Sequence, residues 1–61
     1  MEIIFNGKII KVEKGATIEA LAINSRQMIV INGKMYKYES IKKYLINEKD
    51  IIDVFNVLVG G

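Results

Sequence analysis

The fold is decided by residues 1–12, which read MEIIFNGKIIKV. Apolar and β-branched side chains stand on both sides of Asn6-Gly7. An Asn-Gly pair is the strongest short-range signal for a β-hairpin, because both of its residues tolerate a positive φ in a type I′ turn. The stretch therefore predicts two antiparallel strands, Met1–Phe5 and Lys8–Val12.

The same turn signal occurs a second time, at Asn32-Gly33. The apolar run Met28–Ile31 precedes it and a segment from Lys34 to about Tyr36 follows it, so we expect a second hairpin. Farther along the chain, Ile51–Val59 has the composition of one long β-strand. The two hairpins and this last strand together predict a small sheet.

Two helical segments are expected between the strands. Thr17 is placed to N-cap a helix whose apolar residues Ile18, Leu21 and Ala22 recur at helical spacing. Because the next strand follows closely, this helix is expected to have about two turns and to end near residues 24–27.

A shorter helical segment is expected in the second half of the chain. Ser40 can cap a helical turn over Ile41–Leu45, and the polar stretch Asn47–Asp50 predicts a surface turn. The predicted order is β-β-α-β-β-(short helix)-β. Helices segregated to one side of a small mixed sheet indicate the α+β class.

The chain has 61 residues, about half the commonest domain size, so we expect residues 1–61 to form a single domain. A domain this small buries only about 60% of the surface of its unfolded chain and needs a dense core. Cysteine is absent, and the hydrophobic content is 51%. Because no disulfide can contribute, we expect a tight aliphatic core to supply the stability.

The composition argues against catalysis by the chain itself. It contains neither cysteine nor histidine, which removes thiolate nucleophiles, imidazole bases and the usual zinc sites. Glu48, Asp50 and Asp53 are interpreted as a solvated turn, because they lack the remaining oxygen ligands of a calcium loop. We therefore expect a protein that is not an enzyme and that holds no metal and no bound cofactor.

The longest unbroken apolar runs, Ala20–Ile23 and Met28–Ile31, fall far short of the roughly 20 residues that span a bilayer. They are also shorter than the apolar region of a signal peptide. We therefore expect a cytoplasmic protein without a membrane partner. The formal charge of +2 is a mild excess that does not by itself indicate nucleic acid.

Side-chain alternation divides the last predicted strand into two faces, and Asp53, Phe55 and Val57 share one of them. If Asp53 stays solvated, Phe55 and Val57 are exposed together and form a candidate partner interface. If the sheet curls, Phe55 belongs to the core instead. The pattern leaves both alternatives open.

The sequence then ends in Gly60-Gly61. Glycine averages about 7% of residues, so two terminal glycines arise by chance in about 0.5% of chains. Glycine lacks a Cβ atom, so such an end is flexible, fits a narrow cleft and carries an unhindered carboxylate. Taken alone, such a pair is more typical of a frayed terminus without a function. Its position directly after the last predicted strand favours a flexible tail on which other enzymes act.

The whole sequence resembles the ThiS family, the ubiquitin-like sulfur carriers of thiamin biosynthesis. The matching segments are Ile3-Ile4-Phe5-Asn6-Gly7, Gly15-Ala16-Thr17-Ile18, Ile31-Asn32-Gly33-Lys34 and the run from Asp50 through Phe55 to Gly60-Gly61. The resemblance implies a β-grasp fold, in which a mixed sheet of about five strands wraps one short helix.

The resemblance also implies a function. A ubiquitin-activating-like adenylyltransferase (ThiF-like) that uses ATP would adenylate the carboxylate of Gly61. The resulting thiocarboxylate would be presented to thiazole synthase (ThiG-like) as the sulfur donor for thiamin thiazole formation. Leu58, Val59 and Gly60 would thread into the partner's active site, and Phe55 and Val57 would contact the partner.

Alternatives to this carrier remain open. The small subunit of molybdopterin synthase is also a β-grasp carrier that ends in Gly-Gly, and other thiocarboxylate carriers share the activation chemistry. A different class is a TGS-like RNA-binding or regulatory module, in which Lys34, Tyr36 and Tyr38 would share one strand face, stack on bases and meet phosphates. The lysines are scattered among acidic residues, which favours a carrier without a nucleic-acid partner.

Overall fold

The computed structural model describes residues 1–21 and 23–56, and in it two β-hairpins flank one central strand. The strands are β1 (Glu2–Phe5), β2 (Lys8–Lys11), β3 (Gln27–Ile31), β4 (Lys34–Lys37) and β5 (Ile51–Asn56). Their spatial order is β2-β1-β5-β3-β4. The sheet is mixed, because β1 is parallel to β5 and the other neighbours are antiparallel.

Both predicted Asn-Gly hairpins are confirmed. Asn6 and Gly7 have φ angles of 50° and 80°, and Asn32 and Gly33 have φ angles of 50° and 89°. These positive values are what a type I′ turn requires. The turn chemistry, which depends on two neighbouring residues, therefore fixes the register of each hairpin.

Within the described residues, the core consists of isoleucine side chains. Strands β1, β3 and β5 contribute one face of it, and the segments that pack over the sheet contribute the other. Branching at Cβ suits these side chains to a pleated sheet. The predicted aliphatic core is confirmed, and its buried members are Ile3, Ile18, Ile23, Ile29, Ile31, Ile46 and Ile52.

The α-helix predicted after Thr17 is wrong in type and in length. The described residues of this segment form a single turn of 3-10 helix, Ile18–Leu21. The backbone amide of Ile18 donates to the carbonyl of Tyr44 (3.2 Å), so the start of the turn is bound to a distant loop. Ala22 lies outside the described residues. The backbone amide of Ala20 donates to the carbonyl of Thr17 (3.0 Å), which is the i to i+3 hydrogen bond of a 3-10 turn.

The second helix begins earlier than predicted. It is α1 (Tyr38–Ile41), and its N-cap residue is Lys37, which makes no side-chain capping bond. The prediction of Ser40 as the cap is therefore wrong, because Ser40 lies inside the helix. The chain enters α1 directly from β4, and α1 packs against β3 and β4. A mixed five-strand sheet with short helical segments confirms the α+β class.

Candidate functional site

The face of the sheet opposite the isoleucine core, termed the outer face, carries exposed apolar side chains. Phe55 is 53% exposed and Ile51 is 46% exposed, whereas Ile52 between them is fully buried. This follows from the alternation of side chains along β5. Ile9 of β2 and Met35 of β4 are exposed as well. Apolar surface of this kind is typical of a site that contacts a partner.

The exposure of Phe55 decides between the two alternatives left open by the sequence. Phe55 is on the outer face, so its assignment to the core is wrong. Asp53 shares that face and is partly buried. The remaining predicted site residues lie outside the described part of the chain: Val57, Leu58, Val59, Gly60 and Gly61.

Phe55 belongs to a row of neighbouring side chains that crosses the outer face. Its partner on β3 is Met28, and the partner of Met28 on β4 is Lys37. We call these three residues the Phe55 row. Met28 and Lys37 could not be recognised from the sequence, because cross-strand neighbours can be identified only when the register of the sheet is known.

Both edge strands of the sheet begin and end with lysine. Strand β2 reads KIIK and strand β4 reads KMYK. Lysine at a sheet edge opposes the addition of another strand, because the incoming backbone would have to desolvate its charge. The apolar outer face is therefore better suited than either edge to contact a partner.

Asp50, the residue before β5, is 6% exposed, so its interpretation as part of a solvated turn is wrong. Its carboxylate accepts hydrogen bonds from the Tyr44 hydroxyl (2.8 Å), the Asn32 side-chain amide (3.0 Å) and the Asn47 backbone amide (2.8 Å). We call these four residues the Asp50 brace. Asn32 also accepts, through Oδ1, from the backbone amide of Ile51 (2.9 Å). The brace therefore fixes the point at which β5 starts.

The first hairpin is attached to β5 in a similar way. The Oδ1 atom of Asn6 accepts from the backbone amide of Val54 (2.8 Å), and the backbone amide of Asn6 donates to the carbonyl of Ile52 (2.9 Å). The asparagine of each turn was predicted for its backbone conformation alone, yet each also binds the central strand. Strand β5, which leads toward residue 57, is therefore held on both sides.

Opposing effects act on the ionisation of Asp50. Burial by itself raises the pKa of its carboxyl group, but the hydrogen bonds from Asn47, Asn32 and Tyr44 outweigh burial and hold the pKa below its usual value. Burial and the hydrogen bond to Asp50 raise the pKa of the Tyr44 phenol. An ionised Asp50 beside a protonated Tyr44 is therefore the stable pair at neutral pH.

We expect acid to weaken the fold through the Asp50 brace. A carboxyl group whose pKa is lowered by folding stabilises the protein above its unfolded pKa, about 3.9. That stability is lost as the pH falls through the lower pKa of the folded state. Asp50→Asn should remove this part of the pH dependence and lower the free energy of unfolding at neutral pH by about 1–3 kcal/mol.

Urea unfolding at neutral pH, and at several pH values below about 5, measures both effects. The control is Asp53→Asn, which changes the same charge outside the brace. If Asp50→Asn kept the acid dependence of the unmodified chain, the brace would not be its source.

The side chains that favoured an RNA-binding module do not share one strand face. Tyr38 begins α1, whereas Lys34 and Tyr36 belong to β4. Tyr36 packs against the core, and the Nζ atom of Lys34 lies 5.8 Å from the centre of its ring. A ring that packs on the core and faces a lysine offers little free surface on which a base could stack.

Within residues 1–21 and 23–56, no group of three or more His, Cys, Asp or Glu residues is placed to hold a metal ion. In the same part of the chain, no helix has the length and apolar character needed to cross a membrane. No family model matches the sequence, and no curated protein matches it.

Proposed function

We propose that the chain is a β-grasp sulfur carrier, similar to the ThiS family, whose sulfur is carried on the carboxylate of Gly61. The fold supports this proposal, because two hairpins around a central strand, with short helical segments over one face, agree with the architecture that the resemblance implies. The segment that packs over the sheet as a 3-10 turn, Ile18–Leu21, is shorter than the helix expected from the resemblance.

The observation that carries the proposal is the position of Phe55. This aromatic residue is exposed on the outer face near the end of β5, and the sequence runs from it to Gly60-Gly61 in six residues. A partner that binds the glycines must come close to this strand end. An exposed aromatic side chain at that point is the type of residue that anchors protein interfaces.

The proposed chemistry proceeds in two steps on the Gly61 carboxylate. A carboxylate oxygen first attacks the α-phosphorus of ATP, and pyrophosphate leaves, so the carboxylate becomes an acyl adenylate. Hydrosulfide then attacks the acyl carbon, the bond from that carbon to AMP breaks, and loss of the proton on sulfur leaves the thiocarboxylate. Glycine suits this role because it has no side chain to block the approach of either reactant.

In this proposal the activating partner is a ThiF-like adenylyltransferase and the acceptor is a ThiG-like thiazole synthase. The chain itself acts as a carrier and not as an enzyme, with ATP bound by the partner. Dependence on ATP also makes the cytoplasm the proposed location. Sulfur transfer from the purified thiocarboxylate to thiazole synthase, compared with transfer to the large subunit of molybdopterin synthase, distinguishes the thiazole carrier from its closest alternative.

Phe55→Ala is expected to weaken binding to the adenylyltransferase about tenfold or more, because it removes an exposed aromatic anchor. The fold should be little affected, since the side chain is half exposed. Titration calorimetry measures the binding, and urea unfolding measures the stability. If Phe55→Ala instead cost the roughly 3–5 kcal/mol of a buried aromatic residue, Phe55 would have a structural role and the interface would lie elsewhere.

The matched control for this experiment is Ile51→Ala. Ile51 and Phe55 lie on the same face of the same strand and are exposed to similar extents, 46% and 53%. Ile51 is four residues farther from Gly61 along the chain. We expect Ile51→Ala to change the affinity by less than about threefold, and an equal loss in both variants would contradict a contact centred on Phe55.

A further inference from the structure

A shallow groove of about 270 Å³ lies beside the Phe55 row. It is found where β3 begins and β4 ends, which is the same end of the sheet as the last described residue, Asn56. Met28 and Lys37 of the row line this groove together with Arg26 and Glu39. The row and the groove are therefore one continuous surface, apolar at Phe55 and Met28 and charged at its far side.

The charge of this surface is positive. Arg26 and Lys37 are both exposed. The acidic residue of the groove, Glu39, has its carboxylate oxygen 3.0 Å from the Nζ atom of Lys42. Because Lys42 compensates the charge of Glu39, the two cations dominate the electrostatic potential at the groove.

The surface is also close to the proposed site of sulfur attachment. Register pairs place Lys37 beside Met28 and Met28 beside Phe55. The residues from Asn56 to Gly61 can span at most about 20 Å in any conformation. An enzyme that holds Gly61 in its active site must therefore lie against or very near this end of the sheet.

We infer that the Phe55 row, together with the groove lined by Arg26 and Lys37, forms the docking surface for the activating adenylyltransferase. The matching surface of the enzyme is then an apolar patch flanked by carboxylates. This inference rests on the proposed function and adds the chemistry of the partner's surface. Apolar contact with Phe55 and Met28 supplies most of the affinity. The carboxylates opposite Arg26 and Lys37 orient the enzyme and accelerate association.

Charge reversal tests the inference. The variant Arg26→Glu/Lys37→Glu is compared with Lys8→Glu/Lys11→Glu, which changes the net charge equally on β2, at the other edge of the sheet. The probe is the purified adenylyltransferase encoded in the same genome. Surface plasmon resonance at low and moderate salt gives the rate of association, and circular dichroism checks the fold of both variants.

We expect the Arg26/Lys37 reversal to slow association about tenfold or more at low salt and to reduce its dependence on salt. The Lys8/Lys11 reversal should slow it by less than about threefold. Equal losses in the two variants would show general attraction to a basic protein and would overturn the docking surface. Unchanged association in the Arg26/Lys37 variant would overturn it too.

The same experiment separates this inference from the proposed function. If the unmodified chain is adenylated and the two charge-reversal variants bind the enzyme equally well, the chain is a carrier that docks through another surface. A chain that binds the enzyme through Arg26 and Lys37 but is never adenylated retains the docking surface and loses the carrier function. Sedimentation of the chain alone tests whether a second copy of the chain, and not the enzyme, occupies this surface. Dimers that dissociate in the Arg26→Glu/Lys37→Glu variant would also overturn the inference.

Discussion

Removal of Gly61 is expected to abolish ATP-dependent activation of the chain and to leave its fold intact. In the proposed reaction the new bond joins the α-phosphorus of ATP to the carboxylate of Gly61. A chain that ends at Gly60 offers a carboxylate one residue short, about 3.5 Å from the required position. Displacement of a reacting group by such a distance removes the alignment on which the step depends.

Exchange of labelled pyrophosphate into ATP, catalysed by the adenylyltransferase, measures this activation. Exchange should fall to the background level without Gly61, and it should also fall when a single alanine is added after Gly61. Leu45→Ala is the control, because Leu45 is exposed but is not on a strand of the sheet. Exchange that persisted in the shortened chain would rule out activation of the terminal carboxylate.

Ile52→Ala is expected to leave the chain largely unfolded. Ile52 is fully buried in the centre of the sheet, and truncation of a buried isoleucine to alanine costs about 2–5 kcal/mol. A domain of this size has a total stability of roughly 3–5 kcal/mol, so the loss is comparable with the whole. Circular dichroism and urea unfolding at 25 °C measure the folded fraction.

The neighbouring isoleucine is the control for this change. Ile51→Ala removes the same atoms from an adjacent position that is 46% exposed, so it should cost less than about 1 kcal/mol. The comparison tests the assignment of the two faces of β5 directly. If both variants were equally stable, the alternation that places Phe55 on the outer face would be wrong as well.

The two hairpins could be predicted from the sequence because their determinants are local. Asn6-Gly7 and Asn32-Gly33 specify the turn conformation within two residues, and the apolar runs beside them specify the strands. The exposure of Phe55 followed from alternation only after Asp53 was assumed to avoid the core. Which face of β5 is buried depends on how the whole sheet packs, and the sequence alone does not specify that packing.

The remaining features depend on contacts between distant residues. The segment after Thr17 forms a 3-10 turn, and the amide of its first residue, Ile18, donates to the distant carbonyl of Tyr44. The burial of Asp50 depends on Asn32 and Tyr44, which the tertiary fold brings to its carboxylate. No periodic pattern signals either contact, so both became evident only from the three-dimensional arrangement.

The candidate site likewise combines a residue that could be predicted from the sequence with residues that could not. Phe55 could be singled out by its type and by its place in the last predicted strand. Met28 and Lys37 could not, because each is an ordinary strand residue until the register places it beside Phe55. Arg26 lies in the turn before β3 and joins them through the groove.

The central claim is that Gly61 carries sulfur, and intact mass spectrometry tests it most directly. The chain is incubated with ATP, sulfide and the adenylyltransferase, with omission of ATP as the control. We expect a mass increase equal to the exchange of one oxygen atom for one sulfur atom, located at Gly61 by fragmentation and absent without ATP. An unchanged mass, with an enzyme that is active on another carrier, would contradict the claim.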